Sequence, residues 1–283
     1  MTMTNHHLSF EFFPPKTPEG RKKLQDTHRQ LAKFEPEFFS VTYGAGGSTR
    51  EFTRDIVLEI QRTGSIASPH LSISGDSHES VLALLQSYKD AGIKRIVTLR
   101  GDLPSGMGGA GQLVYANELV SFIREHFGDT FELLVAAYPE IHPEAESYEK
   151  DIYWLGKKFE AGASRAITQY FYNPDSYFYY LDQCGKAGID QPIIPGIMPI
   201  INYQNLVRFS DSCGADIPRW IRQRLQQYGN DTESIKAFGL EVVTNLCEKL
   251  LAGGAPGLHF YTMNQVEANT ALCRNLGFTE ELG

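Results

Sequence analysis

Short runs of β-branched and aromatic residues recur along this chain, separated by stretches with helical spacing, and that alternation limits the fold more than any other feature. The runs are Leu8–Phe12, Phe38–Thr42, Ile66–Ile73, Arg95–Leu99, Phe131–Tyr138, Arg165–Tyr170, Pro192–Ile197 and Leu258–Tyr261, each of strand length. Between them apolar residues repeat at three and four, as in Val81, Leu84, Leu85 and Tyr88, or Leu119, Val120, Ile123 and Phe127, or Val242, Val243, Leu246 and Leu250. Such stripes belong to amphipathic helices. Strand and helix in alternation call for a parallel sheet covered by helices. Eight units in 283 residues come to about 35 residues each, which suits an α/β TIM (β/α)8 barrel. The expectation is a single TIM-barrel domain over 1–283 with 1–7 as a flexible N-terminus. A doubly wound open sheet is the alternative, and it normally carries fewer strands plus a second domain.

Local signals agree. Ala91-Gly92, Ala161-Gly162, Ala187-Gly188 and Ala252-Gly253 each end a helical stretch shortly before a strand, which puts a glycine at the left-handed position after a helix. Thr17-Pro18 places a cap before a first-turn proline, and Ser48 with Glu51 forms a capping box. No linker divides the chain. With 26 basic and 34 acidic residues the net charge is −8, so the molecule repels polyanions, and no window is basic enough for a nucleic-acid track. No apolar stretch approaches the roughly 20 residues of a membrane span. The start MTMTNHH lacks an apolar segment, and Cys184, Cys213, Cys247 and Cys273 show no CxxC spacing. A reducing cytoplasm is the expected compartment.

In a barrel the chemistry sits where strands run into their following helices. Those positions carry Glu11, Thr42, His70, Asp102, Glu140 with His142, Gln169 and Asn264. Glu11 is flanked by Phe10, Phe12 and Phe13, and a carboxyl stripped of water there has a raised pKa, the property of a general acid. Strand alternation that turns Glu11 to water, or an arginine partner, is an equal alternative. Gln169 among apolar strand residues suits a ligand amide or hydroxyl, or a backbone bond. The Gly44 to Thr49 segment lacks the lysine of a P-loop. Gly106, Gly108 and Gly111 match a dinucleotide pattern literally, but they stand too far from both strand and helix and read as a loop. His70 and His142 have no partner at metal-ligand spacing, so no metal is expected. No GxSxG elbow or cysteine–histidine arrangement supports covalent acyl transfer. The residues alone lead to a barrel enzyme with an acid/base mouth.

The ordered segments FEFFPPK (10 to 16), SVTYGAGGSTR (40 to 50), SPHL (68 to 71), LRGDLP (99 to 104), AAYPEIHPEA (136 to 145), AGASRAITQYFYN (161 to 173), IIPGIMPI (193 to 200) and HFYTMN (259 to 264) resemble the bacterial FAD-dependent 5,10-methylenetetrahydrofolate reductases. The resemblance runs from Ser9 to about Gly277. It implies a TIM barrel with non-covalent FAD at the mouth, where NADH (or NADPH) and folate take turns in a ping-pong reaction. The product, 5-methyltetrahydrofolate, supplies methyl groups for methionine synthesis. By resemblance Glu11 is the acid that helps open the folate ring to an iminium cation, and Asp102 stands beside pterin and flavin. Thr42, His70, Arg100, Gly101, Asp102, Tyr138, His142 and Lys158 match positions around FAD. Gln169 matches a glutamine that contacts nicotinamide and folate in turn, and Tyr203 an aromatic packed on either.

Two positions depart from the pattern. Gln265 stands where related enzymes often have an arginine for the folate carboxylate, so the tail is held by another cation or more weakly. Trp154 replaces a small amide near the adenine side of FAD. The expected partners are small molecules, with no nucleic acid and no membrane, in a homo-oligomer. Two other readings are a pterin-binding methyltransferase barrel that needs no flavin and a non-catalytic folate-binding subunit.

Overall fold

The structure is a computed structural model that describes residues 7–43, 50–73, 77–100 and 115–280. Its strands are β1 His7–Phe12, β2 Phe38–Val41, β3 Ala67–Ile73, β4 Arg95–Arg100, β5 Glu132–Ala137, β6 Arg165–Thr168, β7 Ile193–Ile194, β8 Gly196–Ile197 and β9 Gly257–Tyr261. All pair in parallel, in the order β7-β6-β5-β4-β3-β2-β1-β9-β8. β7 and β8 are one run of chain cut at Pro195, whose missing N–H cannot join a ladder. The first half pairs with β6 through Ala166 and Ile193, and the second with β9 through Gly196 and His259. One broken strand therefore closes the ring, and the nine strands make eight staves of the expected TIM barrel.

The helices are α1 Pro18–Ala32, α2 Arg50–Arg62, α3 His78–Asp90, α4 Ala116–Phe127, α5 Tyr148–Glu160, α6 Pro174–Lys186, α7 Tyr203–Cys213, α8 Arg219–Tyr228, α9 Thr232–Ala252 and α10 Val266–Asn275. Three of them, α7, α8 and α9, lie between β8 and β9, where the barrel plan needs one. Thr17 caps α1, its hydroxyl accepting from the Gly20 N–H at 3.1 Å with Pro18 in the first turn. Gly92, Gly162 and Gly188 take the left-handed conformation as expected, with φ of 77°, 115° and 77°. The fourth junction differs: Gly254, at φ 93°, makes the turn. Gly253, at φ −82°, is glycine for another reason, since a Cβ there would overlap the Phe178 ring. Ser48 and the two glycine segments lie outside the described residues.

Period-two alternation divides each strand between two cores. Leu8, Phe10 and Phe12 face the helical layer, and Phe10 and Phe12 pack on Phe39 with ring centroids 5.7 and 5.4 Å away. Inside the barrel, Phe38, Val97, Leu134 and Ile167 form a separate buried plug. At the N-terminal strand ends Arg95 reaches Glu37 at 2.7 Å and Glu132 at 2.6 Å, and Arg165 reaches the same two carboxylates at 2.9 and 2.6 Å. The Arg95 guanidinium also lies 4.5 Å from the centre of the Phe38 ring. Ion pairs and plug together stop the lower end, so the well opens only at the C-terminal mouth.

Candidate active site

Glu11 enters the well from β1, on the face opposite Phe10 and Phe12. Its Oε2 lies 3.2 Å from Nε2 of His70 on β3 and 3.4 Å from Nε2 of His259 on β9. Ser9, two residues earlier on the same face, meets Nδ1 of His259 at 2.7 Å. Burial pushes the Glu11 carboxyl upward, but the charge of His70 at 3.2 Å and the hydrogen bond from His259 outweigh it and hold the pKa down to about 2. The raised value expected from the sequence is therefore corrected. The flanking phenylalanines lie on the other side of the strand, and the groups that surround the carboxyl come from β3 and β9.

Burial pushes His259 down, against the pull of Glu11. An ionised Glu11 accepts from Nε2–H of His259, which leaves Nδ1 to accept the Ser9 hydroxyl. His70 Nε2 lies within ion-pair distance of Glu11 but off the line of a hydrogen bond, and is otherwise an unpartnered buried nitrogen. The cluster thus holds a carboxylate, two imidazoles and one open polar nitrogen in a nearly dry well, with carboxyl and ring nitrogens within 3.4 Å.

Beside it, at the mouth, is a cavity of about 640 Å³ whose wall includes Arg100, Tyr115, Tyr138, His142, Trp154 and Lys158. Lys158 donates to the Ala136 carbonyl at 2.8 Å. Burial pulls its pKa down to about 8, partly opposed by Asp151. His142 accepts the Glu144 N–H on Nδ1 at 3.1 Å, so its Nε2 carries the hydrogen, and burial pushes its pKa down. Its own backbone N–H is held by Asp151 at 2.9 Å. Arg100 pairs with Glu144 and lies 5.9 Å from the Tyr115 ring centre. Tyr115 and Trp154 are parallel within 9°, 6.3 Å apart, and about half exposed. Glu144, Glu146 and Asp151 line the same cavity as Arg100, Lys150 and Lys158, so its wall mixes both charges with an N–H donor and flat aromatic faces, which suit a polar ligand that bears planar rings.

The other expected residues are distributed as follows. Thr42 joins β1 and β2 by its backbone, donating to Phe12 at 2.8 Å, and the adjacent Tyr43 lines the cavity in its place. His70 stands with Glu11, away from that wall. Gly101 and Asp102 lie outside the described residues. Gln169 accepts the Tyr170 N–H on its own side chain at 3.0 Å. Tyr203 opens α7 and packs on the core. Glu140 and Asn264 tie loops: Glu140 accepts the Asp216 N–H at 2.8 Å, and Asn264 donates to the Phe13 carbonyl at 2.9 Å. Gln265 donates to the Met263 carbonyl at 3.2 Å and accepts from Lys23 at 3.3 Å. Sequence reasoning missed Ser9, His259, Asp151, Tyr115 and Lys23. The signal for His259 was present, because alternation puts it on one face with Tyr261 in HFY.

A parallel barrel stopped at one end, with a carboxylate–imidazole cluster and a charged, aromatic-lined cavity at the other, is the architecture of a small-molecule enzyme. The family model described as methylenetetrahydrofolate reductase matches residues 1–277, and the chain belongs to that family. It is 40% identical over 272 residues to the 5,10-methylenetetrahydrofolate reductase of Escherichia coli (strain K12), covering 96% of this chain and 90% of the relative. Methylenetetrahydrofolate reductase (NADH) 1 of Arabidopsis thaliana is 36% identical over 288 residues, covering 97% of this chain and 49% of the plant protein. A Clostridium thermocellum structure, described as binding two copies of 5-methyl-5,6,7,8-tetrahydrofolic acid, superimposes with a TM-score of 0.64 at 15% identity over 96% of this chain and 94% of that one. That last likeness is one of fold. Among the described residues, no helix is long and apolar enough to cross a membrane.

Proposed function

We propose that this reductase converts 5,10-methylenetetrahydrofolate to 5-methyltetrahydrofolate with electrons from NADH or NADPH, through FAD held without a covalent bond, the two substrates using the mouth in turn. The observation that carries the reading is the Glu11, His70 and His259 cluster together with a mouth cavity whose wall presents Arg100, Lys150 and Lys158, among the carboxylates of Glu144, Glu146 and Asp151, next to the Tyr115 and Trp154 rings. The residues present fit the cofactor: Arg100, Lys158 and the Nε2–H of His142 would hold its pyrophosphate, and the unpartnered His70 nitrogen offers a further polar contact. FAD, when bound, supplies two-electron hydride carriage.

The chain's own residues do the proton work. Opening a closed folate ring requires a proton at the departing nitrogen, and the low Glu11 pKa means that the carboxylate must take that proton up before it can give it. Glu11 takes it up from solvent and hands it on, while His70 and His259, 3.2 and 3.4 Å away, hold the carboxyl in place. Once ionised again, the carboxylate is the counter-charge for an iminium cation. Asp102, by resemblance, adds a second negative charge, and Gln169 and Tyr203 contact whichever substrate is in place. A reducing cytoplasm suits the four unpaired cysteines. The test is the visible spectrum: the purified protein should be yellow, bleach on anaerobic NADH and recover with methylenetetrahydrofolate. A colourless, active pterin methyltransferase or a colourless folate binder would replace this reading.

A further inference from the structure

We propose that Lys23 recognises the carboxylate tail of the folate substrate. The inference rests on the substrate reading above and concerns the end of the molecule farthest from the pterin. Lys23 lies in the second turn of α1, the helix that follows Glu11 in the chain, and it is exposed. Its ammonium nitrogen lies 3.3 Å from Oε1 of Gln265. Among the described residues that amide oxygen is the one polar partner of the Lys23 side chain. Glu19 stands one turn earlier on the same helix, at the spacing of a helical ion pair, yet the lysine turns to a neutral group instead. An ammonium at the mouth without a counter-charge is the complement of a carboxylate.

The corner that holds it is fixed. Met263 and Asn264 both take left-handed backbone angles, φ 52° and 51°, a conformation uncommon away from glycine that persists only where the surroundings hold it. Asn264 does so by clasping Phe13, accepting its N–H at 3.2 Å and donating to its carbonyl at 2.9 Å. The loop after β1 is thereby tied to the loop after β9, and α1 packs on α10. Gln265 sits at the start of α10 without capping it by its side chain. Its amide supplies no charge, and Lys23 brings one to the same spot. β1 and β9 are paired neighbours, with Glu11 opposite Tyr261, so α1 and α10, which carry Lys23 and Gln265, are the helices that follow the two strands bearing Glu11 and His259.

The test compares two ligands that differ only in the glutamate, 5-methyltetrahydrofolate and 5-methyltetrahydropteroate, by calorimetric titration of the holoenzyme. The wild type should prefer the folate by about fivefold, the upper end for an exposed ion pair. Lys23→Met should remove that preference while leaving pteroate binding unchanged, and Lys23→Arg should keep it. Folate affinity of Lys23→Met within twofold of wild type would overturn the proposal, because the tail would then be held elsewhere. Equal weakening of both ligands would also overturn it, by making Lys23 structural. If the wild type bound neither ligand, the substrate reading would fall and this proposal with it, whereas equal binding of both would sink the proposal alone.

Discussion

Replacing His259 by leucine should release the Glu11 proton affinity that the well suppresses. Holding a carboxyl at about 2 when its ordinary value is 4.5 corresponds to about 3 kcal/mol in favour of the ionised form. Desolvation acts in the opposite direction, so the imidazoles supply more than that net figure. His259 contributes both a hydrogen bond and charge, and leucine leaves the desolvation in place. The Glu11 pKa should therefore rise by at least one unit in His259→Leu, to about 3 or above. Ser9→Ala, which removes only the bond to Nδ1 of His259 at 2.7 Å, should move it less. The sign for stability follows: a depressed carboxyl pKa stabilises the fold above the unfolded value and loses that contribution as pH falls from about 4.5 to about 2. Wild type should lose more stability than Glu11→Gln over that window. Carbon-13 titration of glutamate carboxyls, with Glu11→Gln to assign the signal, measures the pKa directly. A carboxyl that still titrates near 2 without His259 would refute the coupling.

Two further outcomes follow from other parts of the molecule. Lys158, drawn down to about 8, carries its charge below that pH, so FAD affinity should fall as pH rises from 7 to 9 and Lys158→Arg should flatten the curve. Flavin fluorescence reads both, and a flat wild-type curve would remove Lys158 from the anion site. Arg165→Met leaves Glu37 and Glu132 short of a partner at the barrel's lower end, and should cost about 2 to 4 kcal/mol in urea unfolding at pH 7. Because Glu37 is held below its usual range by Arg165, after burial's opposing push, the loss should shrink towards pH 4.

Much of this was legible in the chain, for reasons that differ by element. The eight staves were readable because each strand is a short apolar run between polar turns, and only the break at Pro195 refines their number. α7 and α8 escaped notice because each buries little: Leu206 and Ser210 in one, Ile221 and Leu225 in the other. Two buried residues leave no stripe to detect. Arg100, Tyr138, His142 and Lys158 were named from motif resemblance, and the fold gathers all four on one cavity wall. The sequence placed Glu11 at a strand end, as the structure does, but gave the wrong direction for its proton affinity. Its sequence neighbours lie across the strand from it, whereas one imidazole that governs it arrives from 248 residues away. Lys23 gave no signal at all, being one of two consecutive lysines on an exposed helix.

The central claim is that Glu11 serves the folate half of the reaction and not the nicotinamide half. Anaerobic stopped-flow measurement of each half-reaction in Glu11→Gln tests it most directly. Glutamine keeps the shape but can neither take up the proton nor carry the negative charge, so flavin reduction by NADH should proceed at the wild-type rate. Reoxidation by methylenetetrahydrofolate should slow by roughly 10² to 10⁴. Equal slowing of both halves, or no slowing of the folate half, would contradict the account.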